Sequence, residues 1–349
     1  MQLATPTAFE LAPSRDGATL VFAPADSRSG ALLAFDLDGS GAPRAKARAL
    51  FGERELVGKV SDLTTVWVKH ELAVAWVERA GSKARVRAAW ASNRSRIFEL
   101  GEAWVAPRTA RGNLVLAARG DAALVFARGN EAPCIEPGRR GCFGFSFHEL
   151  SGDRALATGL PLTVPVPCTD SSTVLAVVGG RWHYGVCTDS GKRPVTTMFT
   201  IERDPDYARA DTLLEGCAPI ATLVWDGAAW LVGECEGQRR AARLGLDAER
   251  AVYLDLRALR AECSAGTLRL RAAGFDLALD EPRGGLEALL PADMAARGAR
   301  AVWTGRALLV ATALGEELRV TSHACRGERL VSDRFEAAEP APRAPVPQK

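Results

Sequence analysis

Eight cysteines and four histidines are the residues most able to do chemistry in this chain of 349, so their spacing is the first question. A zinc site would need a Cys-x-x-Cys pair or a Cys/His cluster, and neither occurs, so no metal and no cofactor is expected. An even count instead suits disulfides. Cys168 with Cys187 and Cys217 with Cys235 are spaced almost alike, and each pair holds the same two places in its repeat, the entry to a first strand and the end of a second. A hairpin brings those places together, so both bridges are geometrically reasonable. Cys134 and Cys142 bracket one loop, and elimination leaves Cys263 with Cys325.

Signatures of catalysis are missing. Nucleophilic catalysis is legible in a sequence only through a local motif, and there is no Gly-x-Ser-x-Gly, no His-Glu-x-x-His, no phosphate-binding loop and no Gly-x-Gly-x-x-Gly after a strand. His70, His148, His183 and His323 fall on strands or at their ends without a partner motif, so none is assigned as a base. Asp36-Leu37-Asp38-Gly39-Ser40 opens like a calcium loop, but the position that should supply the closing glutamate is Ala47, so it reads as a turn. Asp204-Pro205-Asp206, with Asp211 nearby, reads the same way. Arg139-Arg140 beside Cys142 lies on a long loop, where function concentrates, but two arginines define no ligand. No catalytic, cofactor-binding or metal-ligating residue is therefore expected.

The elements that would position these residues repeat. Apolar strands meet at tight turns, as in Val224-Trp225-Asp226-Gly227-Ala228-Ala229-Trp230 and Val302-Trp303-Thr304-Gly305-Arg306-Ala307-Leu308. Asp-Gly and Gly-Gly pairs favour two-residue hairpins because their central residues accept the backbone that matches strand twist. Similar turns sit at Asp16-Gly17, Lys69-His70, Gly120-Asp121, Gly179-Gly180 and Ala273-Gly274, so the marker recurs roughly every 50 residues, with a short final step. Further strands follow each hairpin, for example Arg240–Leu246 and Ala251–Leu256. Four-stranded antiparallel units at this pitch are expected to be the blades of an all-β propeller. Seven blades are expected; the alternative is six with an inserted hairpin near 264–298, where one helical turn at Pro291-Ala292-Asp293-Met294 replaces an outer strand. Residues 1–335 then form a single propeller domain, and 336–349, rich in proline and alanine, a flexible tail.

The first unit contains Ser14-Arg15-Asp16-Gly17-Ala18-Thr19-Leu20-Val21-Phe22, then Gly30-Ala31-Leu32-Leu33-Ala34-Phe35-Asp36-Leu37-Asp38-Gly39. This resembles the repeat of TolB-like propellers, in which a Ser-Pro-Asp-Gly turn precedes an apolar strand and a later strand ends in Asp-Leu-Asp-Gly. The resemblance spans about residues 10–42 and departs at Arg15, where the family has proline. It implies a propeller scaffold of the kind found in periplasmic binding proteins and in the non-catalytic domains of peptidases. It names no ligand.

Charge and hydropathy exclude other classes. With 44 basic against 42 acidic side chains, mixed throughout, nothing steers nucleic acid. No apolar run is long enough for a membrane-spanning helix. Met1-Gln2-Leu3-Ala4-Thr5-Pro6 has neither the basic nor the apolar region of a signal peptide, whereas the cysteines ask for an oxidising compartment. An export signal upstream of Met1, and a periplasmic, cell-surface or secreted location, are expected.

These readings lead to an exported, non-enzymatic propeller that binds or scaffolds another protein of the cell envelope. Two alternatives stand beside it. A propeller funnel could gather paired carboxylates from distant strands into a glycosidase or lyase site. Trp67, Trp225 and Trp303, at one place in the repeat, could stack on sugar in a lectin, although repeated blade packing explains them better. The disulfide reading is checked by alkylating the denatured, unreduced protein and weighing it. No reactive thiol is expected, and labelling of all eight cysteines would contradict both disulfides and export.

Overall fold

The computed structural model describes residues 2–4, 6–24, 32–51, 58–91, 96–102, 114–132, 142–157, 162–164, 174–178, 181–189, 194–201, 208–225, 228–235, 238–243, 254–255, 260–264, 267–272, 275–279, 299–314, 317–326 and 329–330. Every element in them is a strand or a turn, and every strand pairing is antiparallel. The protein is an all-β propeller of four-stranded antiparallel sheets.

The first sheet runs Pro6–Ser14, Gly17–Pro24, Leu33–Asp38 and Arg48–Ala49, each strand beside the next. The second repeats this order with Lys59–Val68, Glu71–Ala80, Lys83–Trp90 and Phe98–Glu102. The third begins Leu114–Arg119, Ala122–Ala132 and Cys142–Ser151; its outer position is shared by Arg154–Ala157 and Leu162–Val164. The fourth holds Val174–Val178, Arg181–Asp189, Pro194–Ile201 and Ala208–Glu215. The fifth holds Cys217–Trp225, Ala228–Cys235, Gln238–Arg243 and Leu254–Asp255.

The remaining strands form one eight-stranded sheet. Phe275–Leu279, Thr267–Ala272 and Arg260–Ser264 lie in that order, and Arg329–Leu330 joins them to Glu317–Arg326, Ala307–Leu314 and Arg300–Trp303. On Glu317–Arg326 the chain start adds a further strand, with Gln2 opposite Arg319 and Ala4 opposite Glu317. The opening residues thus complete the sheet built by the last strands, which removes an unpaired edge. The helical turn expected at 291–294 and the tail at 336–349 lie outside the described residues.

Second strands are buried along almost their whole length, as Gly17–Pro24 and Glu71–Ala80 illustrate. A strand covered on both faces reads as a continuous apolar run, which is why these segments lack alternation. The apolar faces meet between sheets. Leu63, Leu72, Trp76 and Phe51 pack between the first and second, with the rings of Phe51 and Trp76 stacked at 5.4 Å. Val77, Val86, Leu114 and Val125 pack between the second and third. Leu11, Leu20, Val302 and Leu309 join the first sheet to the last. First strands of successive sheets also touch, so 6–14 lies against both 59–68 and 300–303 around the central axis.

Turn positions follow the sequence, with one shift of role. The first hairpin turns on Arg15-Asp16, not on Asp16-Gly17, because Gly17 already pairs with Ser14 and, on its other side, with Asp38. Gly17 is needed for close approach: a Cβ there would stand 2.1 Å from the Leu37 carbonyl oxygen and 2.7 Å from the Asp38 carbonyl carbon. At Gly120 and Gly305 the left-handed backbone is real, with φ of 57° and 83°, and Lys69 adopts φ of 53° in the glycine-free turn.

Gly17→Ala should therefore cost about 3 kcal/mol, since backbone on two strands must shift. Gly81→Ala, at φ of 63° in open space, should cost about 1 kcal/mol. Urea denaturation of the two variants measures the difference, and equal losses would contradict the close-approach explanation.

Candidate active site

The turns that follow the first strands of the first, second, third and last sheets surround a cavity of about 1030 Å³. Ser14, Asp36, Thr65, Trp67, His70 and Trp303 contribute to its wall, so the first, second and last sheets all supply residues. Asp36 is fixed on two sides, by the Thr19 hydroxyl at 3.0 Å and by the Arg48 guanidinium at 3.6 Å. Arg44 donates to the Asp16 carbonyl oxygen at 2.7 Å, and Lys69 pairs with Asp121 across the second and third turns. Thr304 Oγ1 donates to the Gly39 carbonyl oxygen at 2.8 Å, which ties the last hairpin to the first sheet beside the cavity.

Three charged residues converge deeper along the same strands. Glu10, Asp62 and Arg300 each precede a cavity residue by three positions, Pro13, Thr65 and Trp303 respectively. At about 3.3 Å per residue, that puts them about 10 Å further down the axis. Glu10 Oε2 accepts from Arg300 Nε at 2.9 Å, and both side chains are mostly covered. Glu10 Oε1 accepts from the Leu11 amide at 3.0 Å. Asp62 Oδ1 accepts from the Leu63 amide at 2.9 Å, just after an irregularity in strand register between Val60 and Asp62.

The environments of the two carboxylates drive them apart. Asp62 keeps some exposed area, but protein surrounds it, and this desolvation pushes its pKa up to about 7, with the Glu10 charge adding to the rise. Arg300, the Leu63 amide and Arg79 oppose the shift without cancelling it. Glu10 is in direct contact with the Arg300 guanidinium, a charge-assisted pair. One group able to give a proton near neutrality therefore faces one suited to remain charged, the division of labour on which acid–base catalysis depends.

None of these three residues was singled out by the sequence, because isolated charges on apolar strands carry no local motif. A signal was available: Glu10, Asp62 and Arg300 all fall on first strands, three to six residues before the strand ends. Of the histidines, His148 and His323 are buried on strands, and burial lowers the His148 pKa; His70 is exposed at the cavity rim. Asp38 Oδ1 accepts from the Ser40 hydroxyl at 2.6 Å and from the Ser40 and Ala42 amides, so the Asp36–Ser40 segment is a turn. Those bonds, the Ser40 hydroxyl foremost, hold the Asp38 pKa down. Among the described residues no group of three or more His, Cys, Asp or Glu is placed to hold a metal ion.

Trp303 is only 4% exposed and Trp67 half-buried, so they wall the cavity from within the packing and do not stand out as stacking platforms. The Trp225 side chain lies outside the described residues, as do Arg139, Arg140, Asp204, Asp206, Cys134 and Cys168. Asp211 lies on a strand opposite Met198. Cys217 is buried and disulfide-bonded, and the backbone sets it directly opposite Cys235. Cys142 pairs with Ala132, Cys187 with Thr196, Cys263 with Leu268 and Cys325 with Leu330.

No family profile and no curated protein sequence matches the chain. Solved structures similar to it are propellers. An α-L-arabinanase of Penicillium chrysogenum is 12% identical with a TM-score of 0.48, over 92% of this chain and 97% of that one. The six-bladed Aleuria aurantia lectin is 11% identical with a TM-score of 0.42, over 69% and 74%. A Trypanosoma rangeli sialidase is 13% identical with a TM-score of 0.41, over 83% of this chain and 51% of that one, so the chain spans about half the sialidase. Such likeness extends to the propeller fold and no further, and the TolB-like resemblance of the first repeat is supported only at that level. One expectation is corrected: the solved structures that share the fold include enzymes, a sialidase and an arabinanase, so the fold gives no ground for reading the chain as non-enzymatic. Nor do these likenesses support the scaffold reading. Among the described residues no helix is long and apolar enough to cross a membrane.

The Asp62 shift also sets a pH dependence of stability. Between the ordinary aspartate value and about 7 the folded protein keeps a proton that the unfolded chain releases, so rising pH favours unfolding across that window and then levels off. The melting temperature should fall from pH 5 to pH 8, and Asp62→Asn should remove that part of the slope, worth a few kcal/mol at most. Parallel slopes in wild type and variant would show that Asp62 titrates at its ordinary value.

Proposed function

We propose that the chain is a glycoside-cleaving β-propeller whose active site is the axial funnel shared by the first, second and last sheets. The observation that carries this is a pair of unlike carboxylates on neighbouring first strands, Asp62 with its pKa raised to about 7 by desolvation within the influence of Arg300 and Glu10, and Glu10 bound to Arg300. Glycosidic bonds break when an acid protonates the leaving oxygen while a carboxylate supports the positive charge growing at the anomeric carbon. Asp62 supplies the proton as the carbon–oxygen bond opens. Glu10 stabilises the cationic carbon and takes a proton from the attacking water, and Arg300 keeps Glu10 ionised and fixed in orientation. The wider cavity above receives the sugar.

Three further readings belong to this proposal. The blades number seven if the eight-stranded sheet counts as two, which its strand number and the contact of Phe275–Leu279 with Cys217–Trp225 support. The first repeat is of the TolB-like kind, on the strength of Ser14–Phe22 and Gly30–Gly39. The chain works in an oxidising compartment, periplasmic, cell-surface or secreted, with bridges Cys168–Cys187, Cys217–Cys235, Cys134–Cys142 and Cys263–Cys325. The spacing of the cysteines supports this, as does the position of Cys217 opposite Cys235.

Screening the purified protein against aryl glycosides should reveal turnover that declines above about pH 7, as Asp62 loses its proton. Asp62→Asn and Glu10→Gln should each lower kcat at least a hundredfold, the scale of a lost acid or base. Saccharide binding without turnover in the wild type would favour a lectin instead.

A further inference from the structure

Thr65 and Trp67 lie two residues apart on Lys59–Val68, so both side chains leave the same face of that strand, and both line the cavity. Thr65 is 9% exposed. Thr65 Oγ1 and Trp67 Nε1 are each enclosed by protein and meet no hydrogen-bonding partner. A buried polar group left unpaired costs on the order of 1–3 kcal/mol, and such groups call for an explanation where they occur. Trp76 and Trp90 also bury unpartnered indole N–H groups, but neither lines this cavity. What distinguishes the Thr65–Trp67 pair is a hydroxyl and an indole donor side by side on a wall whose volume suits a small-molecule ligand.

We propose that Thr65 Oγ1 and Trp67 Nε1 form a two-point polar subsite for one hydroxyl-bearing ring of a saccharide. The indole N–H donates to one ring hydroxyl, and the threonine hydroxyl, which both donates and accepts, pairs with its neighbour. Both atoms lie beneath the cavity surface, so the pairing requires a shift of the wall on binding. The subsite rests on the glycoside reading above and deepens it, placing ring recognition about 10 Å up the axis from the charged residues. Discrimination comes from the pairing itself, because a sugar lacking either hydroxyl leaves a buried group unmatched.

The test uses the full chain with its disulfides intact and two near-isosteric variants, Thr65→Val and Trp67→Phe. Melting temperature is measured without ligand, and binding is measured by titration calorimetry with the methyl pyranosides of glucose, galactose, mannose and glucuronic acid. Removing an unpaired buried group should hold or raise the melting temperature, and each variant should bind the preferred pyranoside at least tenfold more weakly than wild type. A melting temperature lowered by several degrees in both variants would mean that the groups already serve the packing, and would overturn the subsite. So would wild type and variants of equal affinity, or a wild type that binds none of the four. The funnel reading fails separately, through absent turnover of aryl glycosides or an Asp62→Asn variant as active as wild type.

Discussion

Closure of the ring at the seam between the last and first sheets is the constraint on which the site depends. Three kinds of interaction hold it: strand pairing of Gln2–Ala4 with Ala4 opposite Glu317, the apolar cluster of Leu11, Leu20, Val302 and Leu309, and the Glu10–Arg300 ion pair beside the Thr304–Gly39 hydrogen bond. The first two supply most of the free energy, because burial scales with apolar area and a partly covered ion pair returns little after desolvation. The ion pair has a different consequence. It places a guanidinium from the end of the chain against a carboxylate from its beginning, at the place where Asp62 of the second sheet reaches the axis.

A propeller suits this arrangement because its first strands present a ring of equivalent positions. The blade faces are committed to packing, so Leu11 and Leu63 are buried between sheets, while their neighbours Glu10 and Asp62 leave the opposite side of the same strands. Low polarity around the axis raises the cost of a second negative charge there. Arg300 neutralises one carboxylate, and the other responds by holding its proton. Acid and anion thus arise from two similar side chains through their surroundings alone.

Local features were the legible part of the sequence. Turn chemistry located the hairpins because glycine, aspartate and lysine–histidine pairs act through adjacent residues. Register then followed, so Val178 faces Arg181 and Trp225 faces Ala228 where two-residue loops were expected. Gly17 shows the limit of that reasoning. Its neighbour Asp16 made it look like a turn residue, but its necessity comes from Leu37 and Asp38, a strand away, and no local rule carries that information. Of the expected outer strand Ala251–Leu256, Leu254–Asp255 is a strand paired with Ala241 and Arg240, and the rest lies outside the described residues. The carboxylates were missed for the same physical reason as Gly17. Glu10 and Arg300 are 290 residues apart, and only ring closure makes them neighbours.

The pairing of residues 2–4 with 317–319 also governs the order of assembly. During synthesis residues 2–4 emerge long before their partners at 317–319, and loop closure over such a span is slow. Inner blades can form as they are made, but the axial charges come together only in the final step. Activity would then report completed folding: a chain cut short before residue 317 could hold most of its sheets and still lack the strand that secures its opening residues.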